Sequence, residues 1–373
     1  MKKNEPIRVL HVFGKINRGG AESRTMEIYR NIDREKLQFD FLVSTDETGH
    51  YEAEILALGG RVFSVPRFLF YNYFSYRKAV KKIFNEHKDI SVVHGHMTST
   101  ASLYLPIAKK AGVPTTIAHS RNAGVESGIK GLLTNILEYR LDKIADYLFA
   151  CSRIAGIAVF GKRVWESGRV KYIPNTIDTD KFKYDISKRE EIRNKFALSD
   201  KFVIGHVGRF VPQKNHGYLI KIFDEIQKQV PESCLLLVGD GDGQNKIQAT
   251  VTKMGIADKI IFVGQVDNPW EYYQAMDYFV FPSLYEGLPG SVVEAQTSGL
   301  KCIISDVIAD EVKLTDLVST ESIKANPTTW ADFVIRTRDY DRINMSDAIK
   351  DAGFDVKAKA KEMEKFYLNL KKK

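Results

Sequence analysis

Four side chains in the second half of the sequence have the types and spacing to hold a sugar nucleotide. Glu286 and Glu294 are separated by seven residues within PSLYEGLPGSVVEAQTSG, which spans 282–299. The apolar run 278–281 enters this stretch like a strand. Pro282, Gly287, Pro289 and Gly290 then turn the chain, and residues 291–297 read as the start of a helix. Glu286 therefore falls on a loop at a strand's C-terminal end, and Glu294 about one turn into the helix. The two carboxylates can face one pocket from two directions. Between them, the backbone N–H groups of Gly290 and Ser291 point out of a helix start, where an anion is stabilised. Either glutamate alone would read as a solvated surface charge; the pair in this setting does not. Upstream, Arg209 and Lys214 lie in GRFVPQKN, between an expected strand at 202–207 and an expected helix at 217–229 with Asn215 as its N-cap. Two cations at a strand's C-terminal end match the charge of a diphosphate.

The first half offers a second set of polar groups. Gly14–Gly20 reads GKINRGG, which is neither GxGxxG nor GxxxxGK[ST], so the dinucleotide and P-loop readings lack their residues. Gly19 and Gly20 still permit close approach of backbone to a ligand, and a plain turn would use them equally well. One strand end carries His94 and His96, and the next carries His119 followed by Arg121. Three histidines could gather a metal ion. They lack a carboxylate or thiolate companion, so polar contact with substrate is the preferred reading and no metal is expected. GDGDG at 239–243 has a faint likeness to a calcium loop, but the later ligands of that motif are missing.

The elements that must position these residues alternate regularly. Strands are expected at 7–13, 39–43, 61–65, 92–94, 115–118 and 147–151, with helices at 21–31, 51–58, 73–88, 99–110 and 130–145 between them. The pattern resumes with strands at 202–207, 235–238, 260–263, 278–281 and 302–305. Helices are expected at 217–229, 270–276, 328–338 and 355–371. Such alternation implies an α/β protein with parallel sheets covered on both faces, whose ligands bind off the C-terminal strand ends. The sequence therefore predicts two Rossmann-like doubly wound domains, 1–175 and 176–354, and a closing helix at 355–373.

At 373 residues the chain is long enough for two cores. No apolar run approaches the length of a membrane span, and the N-terminal run is too short for a signal core. Cys151, Cys234 and Cys302 abut or sit in apolar runs and read as buried thiols of a cytoplasmic protein. The net charge of +8 is uneven: residues 1–175 hold 27 Lys and Arg against 17 Asp and Glu, and the remainder 28 against 30. The basic half fits an anionic substrate, a nucleic acid or an anionic membrane, and simple solubility explains charge alone. Between Arg61 and Lys88 there are seven basic residues and one acidic one, with Phe68, Phe70, Tyr71 and Tyr73 nearby. Within the 73–88 helix, Tyr73, Tyr76, Val80, Ile83, Phe84 and His87 form an apolar side, and Arg77, Lys78, Lys81 and Lys82 a basic one. This region could lie on the inner face of a plasma membrane. Base-stacking aromatics on a recognisable module are missing, which disfavours nucleic acid.

Four motifs in order carry a resemblance: Gly19-Gly20-Ala21-Glu22; His119-Ser120; Val207-Gly208-Arg209 with Gln213-Lys214-Asn215; and Glu286-Gly287-Leu288-Pro289 with Glu294-Ala295. Together they make the chain resemble retaining glycosyltransferases of the GT-B fold, family 4, of the bacterial polysaccharide-assembly type. The resemblance implies that Arg209 and Lys214 hold the donor diphosphate, Glu286 the donor-sugar hydroxyls and Glu294 the ribose. It also implies that Gly19 and Gly20 offer N–H groups to the diphosphate, that His119 lies near the reacting sugar, and that the base rests near Val263, Gln265 and Val266. Gly290 and Ser291 would supply backbone contacts to the donor. Glu22, His94, His96 and Arg121 become candidates on the acceptor side. The expected reaction moves a hexosyl unit from a nucleotide-sugar, most often UDP-linked in this family, to a lipid-linked saccharide, without a metal or other cofactor. The resemblance also implies that the C-terminal helix returns to the N-terminal domain. One departure is Pro289, which lacks an N–H; another is Gly290-Ser291, where family members often carry a bulkier apolar residue. A nucleotide-sugar 2-epimerase of the same fold and a non-enzymatic two-domain sugar-binding protein are the rival readings.

Overall fold

The computed structural model describes residues 5–121, 134, 137, 138 and 140–370. Residues 130–133, 135, 136 and 139 of the helix expected at 130–145 lie outside them; 134, 137, 138 and Leu141–Ile144 are helical. The chain divides into one compact unit of residues 1–176 with 356–373, and a second of 177–355.

The first unit holds a seven-stranded sheet. In chain order its strands are β1 (Ile7–Phe13), β2 (Leu37–Val43), β3 (Val62–Ser64), β4 (Ile90–Gly95), β5 (Thr115–Ser120), β6 (Tyr147–Ala150) and β7 (Val170–Tyr172). Their spatial order is β3-β2-β1-β4-β5-β6-β7, and every pairing is parallel. The direction of winding reverses between β1 and β4, which is where an open parallel sheet opens a crevice for ligands. Helices α1 (Gly20–Asn31) and α2 (Tyr73–Glu86) cover opposite faces. Met26, Ile28 and Tyr29 of α1 pack with Val9, Phe13, Phe39 and Phe41. Tyr76, Val80, Ile83 and Phe84 of α2 pack with Leu10, Val12 and Val93.

The second unit repeats the architecture with six parallel strands: β8 (Phe202–Val207), β9 (Ser233–Val238), β10 (Ile260–Gly264), β11 (Tyr278–Phe281), β12 (Lys301–Ser305) and β13 (Val318–Glu321). Their order is β10-β9-β8-β11-β12-β13, so the reversal falls between β8 and β11. Helix α3 (His216–Gln229) follows β8, α4 (Pro269–Ala275) precedes β11, and α5 (Gly290–Thr297) follows it. The core gathers Ile204, Leu235, Leu237, Tyr278, Val280 and Ile303 beneath Leu219, Ile220, Phe223 and Ile226 of α3.

The last helix, α6 (Val356–Leu370), belongs to the first unit, where Val356, Ala360, Met363 and Tyr367 join α1 on the same face of the sheet. The chain enters and leaves the second unit at one place: Ile177 and Asp355 form a parallel bridge, and the Thr179 hydroxyl donates to the Asp355 carboxylate at 2.8 Å. All three cysteines are buried free thiols; burial pushes Cys234 up to about 11.

One expectation changes. Asn215 precedes α3 but does not cap it with its side chain. Its backbone is left-handed, at φ 54°, and its amide donates to the Pro282 carbonyl. The glycines at 239, 241 and 243 answer to close packing. A Cβ on Gly239 would lie 2.2 Å from the Gly208 carbonyl oxygen, and one on Gly241 2.9 Å from the Phe210 nitrogen.

Candidate active site

In the second unit, the reversal point collects most of the predicted donor side. β8 ends at Val207, and Gly208 N–H bonds to the Val238 carbonyl. The following loop is laced to the glycine turn after β9: Phe210 N–H reaches the Asp240 carbonyl, and Gly243 N–H reaches that of Phe210. Arg209 rides on this fixed loop with its side chain exposed. No ion-pair partner of Arg209 occurs among the described residues.

Lys214 and Glu286 come together from the loops after adjacent strands β8 and β11. Lys214 Nζ stands 2.7 Å from Glu286 Oε1, with both side chains largely buried, and 4.5 Å above the Phe281 ring. The loops are also joined through backbone. Leu284 N–H donates to the Gln213 carbonyl, the Gln213 amide to that of Tyr285, and the Asn215 amide to that of Pro282. A Cβ on Gly208 would lie 3.3 Å from the Lys214 stem, so glycine leaves room for the lysine to reach across.

Helix α5 starts at Gly290 without a side-chain cap, and Val292 N–H folds back to Pro289. Glu294 is buried one turn in, and the Tyr273 hydroxyl of α4 donates to its Oε2 at 2.8 Å. Tyr273 escaped the sequence reading because nothing in the sequence ties α4 to α5. Lys214 and Glu286 are thus in direct contact, whereas Glu294 is held separately. Val263 and Val266 are half-buried and Gln265 exposed at the end of β10. A cavity of about 570 Å³, lined by Arg189, Arg193, Asp277 and Arg342 among others, lies at the strands' opposite ends, away from these residues.

In the first unit, the loop after β1 leads to α1 with Gly19 at its N-cap position and no side-chain cap. A Cβ on Gly19 would collide with the Glu22 carboxylate at 2.2 Å, while one on Gly20 meets nothing within 4 Å. Gly19 therefore lets Glu22 fold back over the helix start, and Gly20 borders open space.

The histidines form a network that includes His11, which the sequence reading missed. His11 of β1 is in register with His94 of β4, so both lie on the face covered by α6. His11 Nδ1 is 3.0 Å from His96 Nε2, and His94 Nε2 is 2.9 Å from His119 Nδ1. Each chain of bonds ends on a group that can supply a proton: Arg121 can only donate, and the Tyr367 hydroxyl can donate or accept. Arg121 Nε–H points to His96 Nδ1 at 3.3 Å, and the Tyr367 hydroxyl lies 2.6 Å from His94 Nδ1. Donation from Arg121 places the remaining proton of its chain on His11 Nε2, and the tautomer in which Tyr367 donates places that of the other on His119 Nε2; both atoms are buried without a partner among the described residues. Burial, and then the Arg121 charge, hold His11 down to about 3 and His119 well below the usual histidine range. For His94 and His96 burial and neighbouring histidines act the same way, so all four rings are neutral.

His11, His94 and His96 bring one nitrogen each within 4.8 Å, close enough to suggest a metal. The donor set fits one poorly. Both nitrogens of His94 are engaged, His11 and His96 bond each other, and the Arg121 guanidinium stands beside the cluster.

Two family models cover most of the chain: glycosyltransferase family 4 over residues 18–181 and glycosyl transferases group 1 over 188–321. EpsF of Bacillus subtilis (strain 168), which carries a glycosyltransferase name, is 36% identical over 334 residues, 88% of this chain and 87% of its own. The chain belongs to glycosyltransferase family 4. Among other members, the capsular polysaccharide biosynthesis glycosyltransferase CapH of Staphylococcus aureus is 25% identical over 97% of this chain and 99% of its own. An Escherichia coli UDP-Gal:α-D-GlcNAc-diphosphoundecaprenol α-1,3-galactosyltransferase is 28% identical over 81% of this chain and 80% of its own. Anabaena HepE, solved with UDP-glucose, shares the fold at a TM-score of 0.77 and 18% identity, covering 97% of this chain and 99% of its own. Two parallel-sheet Rossmann-like units are the GT-B architecture, and this family 4 protein is a glycosyltransferase.

Proposed function

We propose that this family 4 enzyme moves a hexosyl unit from a UDP-sugar to a lipid-linked saccharide with retention, working in the cytoplasm at the inner face of an anionic membrane. The observation that carries the reading is the loop after β8, at the reversal point of the second sheet: it bears Arg209, exposed and without an ion-pair partner among the described residues, and Lys214, which pairs with Glu286. An acceptor hydroxyl oxygen attacks the anomeric carbon as the bond from that carbon to the diphosphate oxygen breaks. The hydroxyl proton passes to the departing phosphate on the same face. Arg209 and Lys214 neutralise the charge growing on the diphosphate, and Gly290 and Ser291 add backbone N–H groups. Glu286 holds sugar hydroxyls through the carboxylate oxygen that Lys214 leaves open, and Glu294 takes the ribose. His119, neutral, would donate a hydrogen bond to a sugar oxygen. Two cations and the α5 N–H groups take the place of a metal at the diphosphate. The lipid-linked acceptor is supported by the substrate in the Escherichia coli relative's name, and the UDP donor by that name and the HepE complex.

The test is a screen of nucleotide-sugars against polyprenyl-diphosphate saccharides, with EDTA present, followed by NMR of the new linkage. Transfer with an α-linked product from an α-linked donor supports the reading. Inversion removes retention, loss of activity in EDTA removes metal independence, and product formed without any acceptor would point to the epimerase.

A further inference from the structure

The first unit carries a surface that the glycosyl-transfer reading does not use. Five large apolar side chains stand in solvent within six residues: Leu69, Phe70, Tyr71, Tyr73 and Phe74, with Tyr71 and Phe74 at 86% and 80% exposure. Tyr73 was expected on the apolar stripe of α2; the helix begins there and turns it outward instead.

The segment that presents these residues is built rather than slack. Asn72 spends its side chain on the loop: its Oδ1 accepts from Leu69 N–H and its Nδ2 donates to the Arg67 carbonyl, both at 2.8 Å. Phe68 turns inward, with its ring 5.5 Å from Tyr76 and 5.0 Å from Phe70. Phe70 sits at φ 54°, a left-handed backbone that a bulky residue rarely adopts and that its surroundings must impose. The molecule thus holds aromatic rings in water at a conformational cost.

Beside them lies a matching stripe of charge. Phe74, Arg77, Lys78, Lys81 and Lys82 recur at helical spacing on the exposed side of α2, opposite the buried Tyr76, Val80, Ile83 and Phe84. Arg67, Arg77, Lys78 and Lys81 have no ion-pair partner among the described residues. Lys82 meets Glu86 at 3.9 Å. Unpaired cations flanking exposed aromatics complement a surface that is anionic above and apolar below. The loop also leaves β3 at its C-terminal end, the edge of the sheet that carries Gly20, His96 and Arg121.

We propose that residues 67–82 form a docking wedge for an anionic lipid bilayer, in which Phe70, Tyr71 and Phe74 enter the headgroup region and Arg67, Arg77, Lys78 and Lys81 lie on the phosphates. This deepens the membrane element of the reading above by naming the surface, yet it stands on geometry of its own. Docking would set the acceptor edge of this unit against the membrane that holds the lipid-linked saccharide.

The full-length protein is sedimented with vesicles of phosphatidylcholine, alone or with phosphatidylglycerol, in the absence of donor and acceptor. Wild type should bind only the anionic vesicles and should be released as salt shortens the screening length from about 10 Å at 0.1 M to about 3 Å at 1 M. Tyr71→Ser with Phe74→Ser should weaken binding by about tenfold or more. Arg77→Glu with Lys78→Glu and Lys81→Glu should weaken it by more than about a hundredfold, each basic group near such a surface being worth roughly fivefold. Lys110→Glu with Lys143→Glu and Arg163→Glu, an equal reversal elsewhere on the same unit, should bind much as wild type does. Melting temperatures establish that each variant is folded. Transfer to a water-soluble acceptor should stay at the wild-type rate in all of them, so loss of docking and loss of chemistry are read separately. The proposal is overturned if wild type ignores anionic vesicles, if both wedge variants bind unchanged, or if the control reversal loses binding equally. It is also overturned if the serine variant instead breaks a dimer while vesicle binding persists, which would make the patch a contact between copies.

Discussion

At the scale of single residues, Arg209 and Lys214 are both cations at one strand's end, but their settings differ. Arg209 is exposed and has no ion-pair partner among the described residues, so Arg209→Ala should leave the melting temperature unchanged while lowering kcat by about a hundredfold or more. Steady-state kinetics beside a thermal melt checks both halves, and wild-type turnover would take Arg209 out of the chemistry. Lys214 also neutralises a buried carboxylate, so Lys214→Met should cost about 3 kcal/mol of stability as well as activity, because it strands Glu286. Adding Glu286→Gln should restore most of the stability and none of the turnover. The histidines set a pH response. Burial keeps His11 down to about 3 and His216 to about 4 when folded, against about 6.5 unfolded. Between those values the unfolded chain binds more protons, so stability is complete above about pH 6.5 and falls as the pH drops towards 3. Melting temperatures across that range should fall more steeply than a single site allows, since His94, His96, His119 and His206 shift the same way.

At the scale of elements, the strands that frame the candidate site were legible because each is an apolar run ended by a turn, as with 202–207 and 278–281. What stayed hidden depended on tertiary contact. β7 is three residues, two partly covered and one exposed, too short to show a period. His11 reads as one polar residue in an apolar strand until pairing sets it opposite His94. Tyr367 is 273 residues from the ring it bonds. Asn215 was given a capping role that suits its type, whereas the fold uses its tolerance of left-handed backbone. The glycine turn after β9 shows how one element holds another. At φ 136°, with the Gly208 carbonyl 2.2 Å from any Cβ, Gly239→Ala should cost about 2–3 kcal/mol and shift the loop bearing Arg209. Denaturant melts should register the loss, and the KM for donor should rise more than kcat falls; an unchanged KM would mean that the loop keeps its place without the turn.

At the scale of the whole molecule, the sequence predicted two α/β bodies and a closing helix, and α6 is part of the first body's core. Val356, Ala360, Met363 and Tyr367 are all buried there. Ending the chain at residue 355 should therefore unfold the first unit, while the second keeps its own melting transition; calorimetry of the truncated protein is the check. The bridge between Ile177 and Asp355 has a consequence for how this protein is put together. A body whose two ends touch can be spliced into a host without stretching it. The second body is in that sense a cassette. Residues 177–355 made alone should fold, and a short glycine link between residues 355 and 177 with new ends cut in an exposed loop should fold as well. The first body has no such freedom: it cannot be completed by any ribosome until the cassette has been synthesised, so its own helix α6 must wait for its partner's whole sequence to emerge.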